Sequence, residues 1–128
     1  MRRMLAAAAM LVTLVGVTTA ATYAPRTFTS KPFTGVKANT GTVMATVEGG
    51  RITLKVSDDF VIPDTPAPSW QIIDSKGNTY LLNQFRIKNG TNRQLTLPAY
   101  IPDVARVQVW CSFAEVVLGE TTFDTIVK

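Results

Sequence analysis

The sequence predicts an all-β fold: a small antiparallel β-sandwich of six to eight strands following an N-terminal signal peptide. Three observations carry this. Beyond the first twenty residues, no window of ten or more shows helical periodicity. Short runs rich in Val, Ile, Thr and aromatic residues recur instead, several alternating apolar with polar. Turn chemistry built on Gly, Pro, Asn and Asp separates them.

The chain opens on Met1-Arg2-Arg3-Met4 and then an apolar run from Leu5 to Ala21. A basic start, an apolar middle and the small residues Thr18-Thr19-Ala20 form a signal peptide over residues 1–20, with cleavage expected after Ala20. The run is short of the roughly 20 residues of a spanning helix. Retention as an anchor is the alternative, but no stable membrane insertion is expected after cleavage. The protein is therefore expected to be secreted or periplasmic. Losing Arg2 and Arg3 lowers Lys plus Arg from 13 to 11 against 9 acids, so the net charge falls from +4 to +2. Without basic clusters, that charge gives no footing for nucleic acid.

Residues 21–32 read as a flexible N-terminal extension with a first edge element, and residues 33–128 as the domain. Phe33-Thr34-Gly35 supplies an aromatic to bury and a glycine to turn on. Thr42–Val47 and Ile52–Val56 flank Gly49-Gly50, which predicts a hairpin because its tight turns need positive φ. Ile52, Leu54 and Val56 are expected inside, and Arg51, Thr53 and Lys55 outside. From Ser57 to Trp70 the chain carries Pro63, Pro66 and Pro68, which predict an ordered loop anchored by Phe60 and Trp70. Trp70–Ile73 is a short strand, Asp74–Asn78 a turn, and Thr79–Ile87 a strand of imperfect alternation. Lys88–Arg93 is a second turn; its Asn89-Gly90-Thr91 is read as no glycosylation sequon, and with no other Asn-x-Ser/Thr in the chain no sugar is implied. Gln94–Leu97 and Thr121–Val127 are further strands.

The run Val107–Gly119 holds the single cysteine and one of the two tryptophans. Its alternation places Val107, Val109, Cys111 and Phe113 on the packed face and Arg106, Gln108, Trp110 and Ser112 on the other. One cysteine leaves a thiol that is buried, reactive, or paired with another chain. A buried cysteine behaves as a small hydrophobe, so simple packing is the ordinary expectation. The chain has no histidine. That excludes Ser-His and Cys-His catalysis and every histidine-ligated metal or haem.

Other candidates are weaker. Asp58, Asp59 and Asp64 fit no calcium spacing and suit a solvated turn. Trp70, Pro66 and Pro68, with Pro63 and Tyr100, could form a ligand surface, although a large aromatic more often fills a core. No motif pairs a nucleophile with a base, so independent catalysis is not expected.

Phe33-Thr34-Gly35, Asp58-Asp59-Phe60, Leu97-Pro98 and Val109-Trp110-Cys111 followed by Leu118-Gly119 together resemble the DM-thirteen domain. That family is a small β module often found beside DOMON domains in exported proteins. The resemblance runs from about Phe33 to Phe123. It implies a redox or electron-transfer role centred on Cys111, with Trp110 and Phe113 shaping its surroundings. Cys111 would act as a bare thiol or by holding a prosthetic group such as haem, for which Met44 or a tyrosine would be the only other protein ligands. A separate redox protein or another extracellular protein would be the partner. The alternative is a non-catalytic extracytoplasmic binding or structural module with Cys111 in its core.

Overall fold

The Gly49-Gly50 turn sets the first sheet. Both glycines have positive φ, 56° and 76°, as a two-residue turn matching the twist of its strands requires. It joins β2 (Val43–Glu48) to β3 (Arg51–Val56) in continuous antiparallel register, from Val43 opposite Val56 to Glu48 opposite Arg51. Val43, Ala45, Val47, Ile52, Leu54 and Val56 face inward and are buried. The computed structural model describes residues 11–13, 16 and 24–128. The signal peptide expected over residues 1–20 therefore lies almost wholly outside the described residues. No helix among the described residues is long and apolar enough to cross a membrane.

The strand β1 (Arg26–Thr29) pairs along β2 and is the first edge element expected within residues 21–32; over these four residues the extension is ordered in a sheet. Phe28 explains why: it packs against the core and fixes the strand. The remaining strands are β4 (Pro68–Ile73), β5 (Thr79–Gln84), β6 (Arg86–Ile87), β7 (Gly90–Thr91), β8 (Gln94–Thr96), β9 (Val104–Cys111) and β10 (Val116–Val127). One antiparallel sheet has the order β1-β2-β3-β8 and the other β10-β9-β4-β5, with β6-β7 a small separate hairpin. The two larger sheets enclose the core, in a sandwich-like all-β arrangement.

The second sheet contributes Trp70 and Ile72 from β4 and Val107, Val109 and Cys111 from β9. An aromatic chain crosses the interior. Phe33 meets Phe60 at 5.0 Å, Phe60 meets Phe85 at 5.4 Å, and Phe85 stacks on Trp70 at 4.6 Å. Such pairs add about 0.5–1.5 kcal/mol each beyond their burial. The strand expected over 79–87 breaks at Phe85. Its N–H bonds to the Pro68 carbonyl and its carbonyl accepts from Asn92, which turns its ring inward and explains the imperfect alternation.

Two further differences sit at the ends of β9 and β10. The last strand starts at Val116, not Thr121, with an irregularity between Val117 and Gly119. Phe113 is 77% exposed, against the packed position expected of it. The alternation stops being meaningful once the strand ends at Cys111 and residues 112–115 turn.

Residues 30–38 run along β10. The N–H groups of Lys37 and Ala38 bond to the Leu118 carbonyl, and Thr34 exchanges two bonds with Glu120. This approach needs Gly119. A Cβ there would lie 2.7 Å from the Ala38 Cβ and closer still to its carbonyl oxygen.

Candidate functional site

Cys111 ends β9 opposite Pro68 of β4 and Val116 of β10. Only 1% of its surface is exposed. The turn 112–115 folds back over it, closed by the Glu115 N–H bonding to the Cys111 carbonyl at 2.7 Å. Glu115 adopts φ 56°, an uncommon left-handed conformation for a residue with a side chain. The Ser112 N–H reaches the Ala67 carbonyl at 3.0 Å, which ties the turn to the proline loop. Ser69 and Ser112 add a hydroxyl pair at 3.1 Å across the same junction.

The sulfur sits among donors. The Ala114 N–H points at Sγ from 3.4 Å. This contact holds the thiol below its ordinary value; burial opposes it, and the amides of Phe113 and Ala67 reinforce it. The Thr65 hydroxyl also favours the thiolate. Its buried Oγ1 makes no hydrogen bond among the described residues and is a polar neighbour of the sulfur rather than a formed donor. The arrangement has the chemistry of an anion nest, with backbone dipoles aimed at the atom that would carry charge.

The other residues singled out from the sequence fall in different places. Trp110 is partly exposed on the outer face of its sheet, opposite Ser69 and Val117, so its ring lies across the sheet from Sγ. Phe113 contributes its amide to the sulfur and presents its ring to solvent. The ligand surface of Trp70, Pro66 and Pro68 does not exist as a surface: Trp70 is fully buried and Pro68 is buried, leaving only Pro66 exposed. Trp70 donates its indole N–H to the Asn92 carbonyl at 2.9 Å, satisfying its one polar atom inside the core. Tyr100 pairs with Tyr80 instead, at 6.0 Å. Asp58, Asp59 and Asp64 are exposed, and Asp59 accepts from the Ser57 hydroxyl at 2.5 Å.

A haem held by Cys111 does not fit this geometry. A ligating sulfur must present itself to the open face of the ring. Here Sγ lies beneath the turn, and Met44 is 43% exposed on the outer face of the opposite sheet.

Sequence reasoning missed Asp74. It is 2% exposed, yet it accepts from the amides of Lys76 and Asn78, the Asn78 side chain and the Tyr80 hydroxyl, all at 2.9 Å. Burial pushes its carboxyl up, but these donors outweigh that and hold it below the ordinary value. The Asp-x-x-Gly-Asn turn chemistry was the available signal, and it pointed to a turn without revealing the burial. Asn89-Gly90-Thr91 also needs correction. With glycine in the middle it satisfies the Asn-x-Thr acceptor pattern, and it lies on the exposed β6–β7 hairpin with Asn89 at φ 66°.

No family model, curated protein or solved structure matches the chain.

Proposed function

We propose that the protein is an exported accessory module acting through Cys111 in thiol redox or electron transfer, as the DM-thirteen resemblance implies. The observation that carries this is the Ala114 N–H aimed at Sγ from 3.4 Å, which favours the thiolate, the form in which a cysteine attacks. A redox protein bearing a disulfide is a suitable partner, and its approach requires the turn 112–115 to open, because Cys111 is 1% exposed in the closed form. The thiolate would attack one sulfur, a new S–S bond would form as the partner's breaks, and the departing sulfur would leave with the electron pair. Gly119, which belongs to the family-like motif, has a packing role here: it lets residues 30–38 close over β10.

A second reading has its own observation. At 1% exposure Cys111 is as buried as the valines beside it, which suits a non-catalytic binding or structural module. Thiol labelling separates the two. Under the redox reading, a small thiol reagent modifies the native protein, and the rate rises with pH through a midpoint below the roughly 8.5 of a free thiol. Modification only at the rate of global unfolding, together with an absorption spectrum free of any chromophore, would discard it and leave the structural reading.

A further inference from the structure

The edge of a β-sheet presents unpaired N–H and C=O groups that invite another strand, and folded proteins guard such edges with charge, proline or cover. The two four-stranded sheets have four edges: β1, β8, β10 and β5. Three are guarded. Residues 31–38 cover β10 with hydrogen bonds to Leu118, Glu120 and Thr122. Pro25 and the exposed Arg26 open β1. The strand β8 spans three residues between Arg93 and Pro98.

Among the described residues, no segment covers the edge of β5, and its charges, Lys76 and Arg86, lie beyond its ends. It is six residues long and pairs with β4 on one side only. From Gly77 to Phe85 the chain carries no charge and no proline. Its outer face displays Leu81 at 52% exposure, while Tyr80 and Leu82 sit half-buried on the inner face against the core.

We infer that a second copy of this chain pairs with β5 edge to edge, antiparallel about a two-fold axis at Leu81. Opposed residues in an antiparallel pair share a face, and β5 is self-complementary under that rule. Leu81 meets its own copy on the outer face, with Thr79 opposite Asn83. Tyr80 meets Leu82 on the inner face. Apolar groups meet apolar groups and polar groups meet polar groups from Asn78 to Gln84; Lys76 falls opposite Arg86 of the other copy just beyond the pairing, where Arg86 is drawn to the Ile62 carbonyl. The product is one continuous eight-stranded sheet with two sandwiches on the same side of it, an isologous dimer. The contact is short, so association is concentration-dependent and rapidly reversible. It is independent of any role of Cys111.

Sedimentation equilibrium of the mature protein from micromolar to millimolar concentration tests this. The wild type is expected to shift from monomer to dimer, and Leu81→Lys to stay monomeric with an unchanged thermal midpoint, because Leu81 is half exposed. Leu81→Cys should form a disulfide-linked dimer under mild oxidation, with the linked peptide identified by mass spectrometry. Thr79→Cys should not, since the two positions lie about 13 Å apart along the paired strands. A wild type that stays monomeric across the range overturns the inference and leaves the edge to a strand of another protein. A dimer indifferent to Leu81→Lys, or cross-linking at position 79 in preference to 81, overturns it equally.

Discussion

Replacing Gly119 with alanine tests whether the approach of residues 30–38 to β10 holds the fold. The new Cβ would lie 2.7 Å from the Ala38 Cβ and would intrude on the Ala38 carbonyl oxygen. Both obstacles belong to a tethered segment, so neither can swing aside like the end of a long side chain. Forcing one extra carbon into a packed site costs about 1–3 kcal/mol. If the segment retreats, the Lys37 and Ala38 bonds to the Leu118 carbonyl go with it, at about 1 kcal/mol each. The expected loss is therefore about 3–5 kcal/mol, a large part of the 5–15 kcal/mol typical of a domain. For a domain of this size it corresponds to a fall in Tm of roughly 12–20 °C. Urea and thermal unfolding followed by far-UV circular dichroism measure it. Gly77→Ala is the control: its φ of +85° strains a side chain, but no atom lies within 4 Å, so about 1 kcal/mol is expected. A Gly119→Ala protein within about 0.5 kcal/mol of wild type would refute the reasoning, because surface substitutions behave that way.

Three further outcomes follow from particular contacts. Asp74 has a depressed folded pKa, so the stability it contributes is fully present above its unfolded value of about 3.9 and is lost as pH falls through the folded one. Asp74→Asn should be less stable at neutral pH and show a shallower acid limb in urea titrations. Tyr80 titrates above its ordinary value because its hydroxyl donates to that carboxylate and is desolvated, so ultraviolet titration should move back toward about 10 in the same variant. Arg93 donates to the carbonyls of Ser57 at 2.6 Å and Phe60 at 3.0 Å; Arg93→Met should lose about 2 kcal/mol and speed amide exchange in residues 57–60. Alanine at Cys111 should retain more stability than serine, because a buried hydroxyl needs an acceptor for its proton; thermal midpoints of the two variants decide this.

The share of this protein legible in its sequence tracks the range of the forces involved. Gly49-Gly50 needs only its own backbone to specify a hairpin, and the alternation from Arg51 to Val56 needs only one buried face. Both therefore read directly from the residues, as did the all-β class and the inward position of Cys111. Phe85 and Phe113 could not be read that way. One is pulled inward by Pro68 and Asn92 and stacked on Trp70, and the other is turned outward because its strand stops at Cys111. Trp70 was better suited to a core than to a ligand surface on residue type, and the second sheet buried it completely.

The sequence by itself determined an alternating β chain with one thiol and no histidine, because composition and period are local properties. Only the tertiary structure decided what surrounds that thiol. Ala114 and Ala67 come from segments more than forty residues apart, and the Ala114 N–H at Sγ and the Ala67 carbonyl on the Ser112 N–H meet at this turn only because β4 pairs with β9 and the turn 112–115 folds back. The same pairing order left β5 at an edge that no other described segment covers, since which strand ends a sheet is settled by the packing of all the others.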